Sequence, residues 1–323
     1  SKEMLVDQIL KKIRKSDGDE LLRIVGALAL WASDNPELDR CLPKVADKLM
    51  SQNKLFAVDW AAVFFPIKEK LYPLLLEKIN DIETELVSRE FATEVCCDLV
   101  QDDSVELFNL MVVADPRSAR MIFEKMLPLK NEVLAFSKNI RANKNQSSSF
   151  EQDFKHQDRQ GIAASLQIAF GDDAGFSVFS FSSDATSRSK CQLMLGCLKI
   201  SPEVIVGKIK TCTDISSKSS MVIALGNLDL DSVDVQTRNN WMDGFLEMFR
   251  NSPDAGLHGS LDWLLRKRLG LGKECDQIEG SLKSKTINGN KWFVNSIGQT
   301  FVIIDGPKKF QMGSPVDEPL RYE

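Results

Sequence analysis

Of the two histidines in 323 residues, His258 has the more suggestive surroundings. Asp254 precedes it by four residues and Asp262 follows it by four. On a helix both carboxylates then flank one imidazole, the make-up of a tuned acid–base group. Nothing else in the chain completes a reaction. There is no H-E-x-x-H, no G-x-S-x-G and no glycine-rich phosphate loop. The seven cysteines (41, 96, 97, 191, 197, 212 and 275) form no C-x-x-C pair and have no histidine at zinc spacing. Their odd number and apolar surroundings read as buried, reduced thiols in a reducing, cytoplasmic compartment. The paired carboxylates Asp102-Asp103 and Asp172-Asp173 fall at expected helix ends, where Asp is ordinary. No catalytic residue, cofactor or metal is therefore assigned.

The elements that carry His258 change its meaning. Three stretches superimpose without gaps: SDATSRSKCQLMLG (183–196), TDISSKSSMVIALG (213–226) and PDAGLHGSLDWLLR (253–266). In each, an aspartate (Asp184, Asp214, Asp254) is followed four residues later by a basic or imidazole group (Arg188, Lys218, His258). Leu195, Leu225 and Leu265 then share one slot, and HQDRQGIAASLQIAFG (156–171) ends in the same way without the clean Asp register. An aspartate just before a helix accepts bonds from first-turn amides, worth about 1 kcal/mol. A basic group one turn on can bond that aspartate or its neighbour's, making a ladder. His258 thus reads as a rung of that ladder. A helical hairpin cannot cover its own apolar face, so several must stack. The expected fold is all-α, an α-solenoid of helical hairpins.

The rest of the chain follows suit. Leu21 to Trp31 and Leu42 to Met50 make a helical pair, and Ile67, Leu71, Leu74, Leu75 and Ile79 form one apolar face. Val87, Phe91, Val95 and Leu99, then Trp241, Phe245 and Phe249, form two more. Residues 1–140 are read as N-terminal helical repeats, 141–153 as a polar hinge, 154–270 as further repeats and 271–286 as a linker. Phe176, Phe179 and Phe181 alternate with other residues in a segment read as a short strand or irregular helix. From 287 the period becomes two: Trp292–Val294, a turn at Gly298-Gln299, Thr300–Ile304, and a third short strand over 309–312. This β appendage is expected to pack on the last helices through Trp292, Phe293, Phe301 and Ile303.

The D-x-x-x-[RK] register and the Ala224-Leu225-Gly226 ending resemble HEAT repeats. LLRIVGALALWASDN, WAAVFFPIKEKLYPLLL, DPRSARMIFEKMLPL, SRSKCQLMLGCL and GLHGSLDWLLRKRLG resemble, in order, a helical region of large bacterial multidomain proteins. In those proteins the region precedes a formylglycine-generating-enzyme-like (sulfatase-modifying-factor, C-type-lectin-like) domain. The tail is similar to the opening of that domain: Phe310, Met312, Gly313 and Ser314 stand in its Phe-x-Met-Gly-Ser motif, with Glu318 as the acidic residue that follows. Lys308 or Lys309 stands where a glycine is usual. The resemblance implies a signalling module upstream. The domain's oxidising cysteine pair has no counterpart before Glu323, so formylglycine generation is not carried over. The absence of an initiator Met before Ser1 fits a processed product or a fragment.

Composition bounds the alternatives. Lys+Arg 41 against Asp+Glu 46 leaves a net charge of −5, and 43% hydrophobic with 27% charged residues is ordinary for a globular chain. The acidic balance argues against nucleic acid, although Trp263, Arg266, Lys267 and Arg268 raise a HEAT-like DNA-binding reading. The Arg266–Arg268 run is otherwise a solvated helix end. No apolar run reaches transmembrane length. The functional expectation is a non-catalytic scaffold binding a protein partner or other domains of its parent. The alternatives are a fragment of a formylglycine-generating enzyme and a DNA-binding protein.

Overall fold

The computed structural model describes residues 2–13, 15–143, 150–182, 185–285, 289–307 and 309. They are mostly helical, as the apolar periodicities require. The chain divides into two compact units, 1–136 and 137–323. No helix among the described residues is long and apolar enough to cross a membrane.

The first unit contains α1 (Lys2–Ile13), α2 (Gly18–Trp31), α3 (Glu37–Leu49), α4 (Ala57–Phe64), α5 (Lys68–Asn80), α6 (Leu86–Leu99), α7 (Ser104–Val113), α8 (Ala119–Met126) and the start of α9 (Lys130–Ala142). Neighbours in sequence pack as pairs, and α6 lies along both α4 and α5. Ile67, Leu71, Leu75 and Ile79 are buried on the expected face, as are Phe91, Val95 and Leu99, whereas Val87 is exposed. Aspartates start several helices: Asp17 accepts from the amide of Gly18, and Asp103 from those of Val105 and Glu106.

The second unit runs from α10 (Phe150–Ala169) through a 3₁₀ segment (Asp173–Phe179) to α11 (Thr186–Cys197), α12 (Pro202–Thr211), α13 (Ile215–Gly226), α14 (Val235–Asn251) and α15 (Ala255–Trp263). A π-helical turn (Leu264–Arg268), α16 (Gly272–Leu282) and a hairpin of β1 (Trp292–Val294) and β2 (Thr300–Val302) complete it. The three repeated stretches form α11, α13 and α15. These alternate helices lie side by side, with α10 against α11 and with α12 and α14 packed on α13 and α15. Leu195, Leu225 and Leu265, the shared slot, all lie in one core with Trp241, Phe245 and Phe249.

Four sequence readings are corrected. The division falls inside α9, so the polar stretch 141–153 is not the boundary: Arg141 and Ala142 still belong to a helix, and α10 has begun by Phe150. Residues 271–286 are not a linker, because α16 occupies 272–282 and buries Cys275 and Ile278 one turn apart. The phenylalanine-rich segment is 3₁₀, with Phe176 and Phe179 buried and Phe181 exposed. The hairpin docks through Trp292 and Val294 rather than through all four expected residues. Strand side chains alternate, so 292 and 293 cannot face the same way. Phe293 and Phe301 instead stack on each other with centroids 5.6 Å apart, about half exposed, and Ile303 is also exposed. The expected third strand falls largely outside the described residues.

Glycines permit the closest helix approach. A Cβ on Gly161 of α10 would lie 2.5 Å from the carbonyl oxygen of Ser187 in α11, while one on Gly207 of α12 meets nothing. Gly161→Ala is expected to lower stability by roughly 1–3 kcal/mol through overpacking against backbone. Gly207→Ala should raise it by about 0.5–1 kcal/mol. Chemical denaturation of both variants checks the contrast.

Candidate interaction site

The face on which α11, α13 and α15 meet carries the repeat register, and small polar side chains stitch it together. Ser187 Oγ of α11 donates to the carbonyl of Gln157 in α10 at 2.9 Å. Gln192 Nε2 donates to the carbonyl of Ser220 in α13 at 2.9 Å. Ser219 Oγ reaches the carbonyl of Gly256 at 3.1 Å and Ser260 Oγ at 3.3 Å, both in α15. Lys190 and Asp158 add an ion pair at 2.8 Å between α11 and α10.

Over this row opens a groove of about 530 Å³. Arg188, Gln192, Ser216, Ser219, Asp254 and Gly256 line it, with Phe181 at its edge, 80% exposed. Arg188 makes no ion pair among the described residues, so its guanidinium donors are free toward the groove. The arrangement is a hydroxyl-rich cleft with one cation, one aromatic ring and a carboxylate, Asp254, held by the Leu257 amide. It can recognise a polar segment carrying a carboxylate.

The predicted ladder is built differently from the expectation. Asp214 caps α13 by accepting from the Ser217 amide at 2.8 Å, and Asp254 caps α15 by accepting from the Leu257 amide at 2.7 Å. Hydrogen bonds from Ser217 hold the Asp214 carboxyl below its ordinary range. Asp184 lies outside the described residues. Among the described residues the basic slots do not bond Asp214 or Asp254. Arg188 faces the groove, and Lys218 lines a hollow of about 330 Å³ beside Glu247 and Asn251 of α14. With the carboxylates occupied by backbone amides, the basic side chains are released from the ladder.

His258 is neither ladder rung nor acid–base group. It is 3% exposed, and its Nδ1 lies 3.0 Å from the carbonyl oxygen of Phe249. Its ring is stacked between Phe249 (centroids 4.2 Å apart) and Trp292 of β1 (3.5 Å). Trp292 Nε1 donates to the Ser252 carbonyl at 2.9 Å, and the Lys291 amide donates to the Pro253 carbonyl at 2.8 Å. The imidazole is therefore the surface on which the hairpin docks. The carbonyl at Nδ1 requires a proton there, leaving Nε2 a buried lone pair without a partner.

Arg266, expected to be solvated, is enclosed instead. It bonds Asp262 at 2.5 Å, Asp276 at 2.6 Å and Glu279 at 2.6 Å, and Glu279 in turn accepts from Thr300 of β2 at 2.9 Å. Burial lowers its pKa, but the bonds from Asp276 and Asp262 outweigh that and raise it. Arg268 donates to the Leu228 carbonyl, and the Trp263 ring covers Gly226, where a Cβ would come within 2.1 Å of it. Three of the four groups behind the DNA-binding reading are thus committed to internal contacts. The spacing of Asp262, Asp276 and Glu279 from Arg266 was the available signal. The groove's serines and Gln192 carried none, because isolated hydroxyls on a helix match no motif.

Phe310, Met312, Gly313, Ser314 and Glu318 lie outside the described residues. Among the described residues no cluster of three or more His, Cys, Asp or Glu is placed to hold a metal ion. All seven cysteines are free thiols, and burial raises the pKa of Cys97 to about 12. Comparison with family models, curated proteins and solved structures finds no match.

Burial lowers the His258 pKa below its ordinary 6.5, and Arg266 lowers it further; the Phe249 carbonyl and Asp262 oppose this. A depressed histidine stabilises the fold fully above pH 6.5 and progressively less as pH falls toward its folded value, since the unfolded chain binds the proton first. Melting temperature is thus expected to drop on acidification below pH 6.5. In His258→Phe, which keeps a ring in the stack, that component of the drop should vanish.

Proposed function

We propose that this chain is a non-catalytic helical-repeat scaffold that binds a protein partner through the groove over α11, α13 and α15. In this reading the second unit is a HEAT-like stack of hairpins within a larger bacterial signalling or effector protein. The hairpin at 292–302 is then the start of a formylglycine-generating-enzyme-like domain. The observation that carries it is the groove itself. Its floor is made by the repeated helices, its only cation is unpaired among the described residues, and an aromatic ring stands exposed at its rim. Unpaired arginine and exposed aromatic side chains are the residue types that concentrate binding energy at protein interfaces.

The nucleic-acid reading loses ground because Arg266, Arg268 and Trp263 serve the fold. The resemblance to HEAT repeats gains support from the side-by-side placement of alternate helices in a common register. The partner's complement to Arg188 is a carboxylate, held by charge-assisted hydrogen bonds.

A photoreactive side chain in place of Ser189, exposed at the groove, is expected to crosslink a discrete polypeptide in cells that make the protein. The same probe at Val235, exposed on α14, should not. Arg188→Glu or Phe181→Ser should reduce the crosslink at least tenfold, the effect of losing roughly 1.4 kcal/mol or more at a hot spot. An undiminished crosslink in Arg188→Glu sinks this reading.

A further inference from the structure

The hairpin of β1 and β2 rests on a titratable ring. Two strands of three residues do not hold themselves together in water, so their position depends on what they dock against. The largest side chain in that contact is Trp292, whose buried indole lies on the imidazole of His258 with centroids 3.5 Å apart and planes 14° from parallel. Phe249 covers the other face at 4.2 Å. In the plane of the ring, Nδ1 donates to the Phe249 carbonyl, and Nε2 is buried with no partner among the described residues. The stack therefore fits one state of the imidazole, the neutral one. A second proton would place a charge, and a new N–H without an acceptor, on a ring enclosed by two aromatic side chains.

We propose that His258 is a pH-sensitive latch: protonation of its Nε2 releases Trp292, and with it the hairpin, while the helices beneath stay folded. The stack itself sets which partner leaves. Phe249 is fully buried in the core with Leu261 and Leu265, so moving it disrupts the packing of α14 on α15. Trp292 belongs to a short hairpin whose Phe293, Phe301 and Ile303 are exposed, and lifting it opens the ring to water with that core still closed. The surrounding charges leave this preference standing. Burial opposes the charged ring most, the Phe249 carbonyl and Asp262 favour it, and Arg266 opposes it. Asp262 is already held by Arg266 at 2.5 Å, and Arg266 also holds Asp276 and Glu279 of α16. Asp254 is held by the Leu257 amide, and Lys291 of β1 by Asp305 at 2.7 Å. Glu247 of α14 and Lys218 of α13 line one hollow, and Arg250 is exposed. Among the described residues none of these carboxylates bonds the ring. A docked ring that binds its proton more weakly than a released one loses docking as pH falls. Above pH 6.5 the hairpin is held in full; below it the docked-to-released ratio drops by up to about tenfold per pH unit, until the docked ring is itself protonated.

Two histidines and five tryptophans keep the spectra of the full chain simple. The protein carrying nitrogen-labelled histidine and fluorotryptophan is followed by NMR from about pH 8 to about pH 4.5, with signals assigned through Trp292→Phe and His258→Phe. The Trp292 fluorine resonance is expected to move with the same midpoint as the His258 nitrogens, below pH 6.5, while those of Trp241 and Trp263 in the same unit stay in place. In His258→Phe, which keeps a ring in the stack, the Trp292 resonance should not move over this range. Should that variant fail to fold, the shared midpoint in the unsubstituted chain decides. A Trp292 resonance that stays still while His258 titrates overturns the proposal, as does a His258 that never titrates. So does a Trp292 resonance that moves only together with Trp241 and Trp263, which reports unfolding of the unit, or one that moves equally in His258→Phe.

Discussion

The second unit depends on how closely its neighbouring helices approach. Gly161 lets α10 sit against the backbone of α11, and Gly226 gives the Trp263 ring its seat. Ser219 and Ser260 meet where larger side chains would hold α13 and α15 apart. At such separations a hydroxyl can reach a carbonyl of the next helix. Ser187 and Ser219 do so, and the Gln192 amide spans the same gap. Close packing and polar stitching are therefore one device. The small residues that admit the approach also supply the donors that hold it, and neutral bonds of this kind add about 1 kcal/mol each. The groove over the row is a consequence, because short side chains leave space above them.

The docked hairpin depends on the same unit for a different reason. Two strands of three residues cannot stand alone in water. Trp292 solves this by laying its indole on the imidazole of His258, which Phe249 supports from behind. The second attachment is electrostatic: Arg266 gathers Asp262, Asp276 and Glu279, and Glu279 extends the contact to Thr300. The π-helical turn at 264–268 is where α15 ends, and the arginine at its middle links three segments of chain. A widened turn with a half-buried, fully paired arginine has a structural task here rather than a chemical one.

Some of this was legible in the sequence. The helical class, the shared register of α11, α13 and α15, and the capping role of Asp214 and Asp254 follow from 3.6-residue periodicity and from aspartate's preference for helix starts. What failed were inferences about partners. Lys218 sits at the right spacing to bond Asp214, but a carboxylate already accepting amide bonds gains little from a solvated cation. His258 shares their slot by register and not by role, since its surroundings are set by Phe249 and Trp292, nine residues before it and thirty-four after. Residues 271–286 looked like a linker because they are polar, with acidic and basic residues in equal number, and stand just before the change of period. Two of those charges, Asp276 and Glu279, are what Arg266 holds, and only the fold brings them to it. The groove was invisible for a related reason: Phe181, Arg188, Ser219 and Gly256 come from separate segments and share no spacing.

The two surfaces left open differ in a way that bears on what each can bind. Over α11–α15 the exposed groups are hydroxyls, an amide and an unpaired arginine, with Phe181 as the large apolar side chain at the edge. Such a surface costs little to keep in water and gains its affinity from directional bonds, so it discriminates by chemistry. Around α4 the exposed groups include Val58 on the helix itself and Leu55 and Phe65 in the 3₁₀ turns that flank it. Apolar contact is non-directional, and a surface of this kind discriminates by shape instead. Had both surfaces been apolar, each would have competed for the occupant of the other. The polarity of the groove therefore sets the chemistry of what it can hold apart from that of an apolar face.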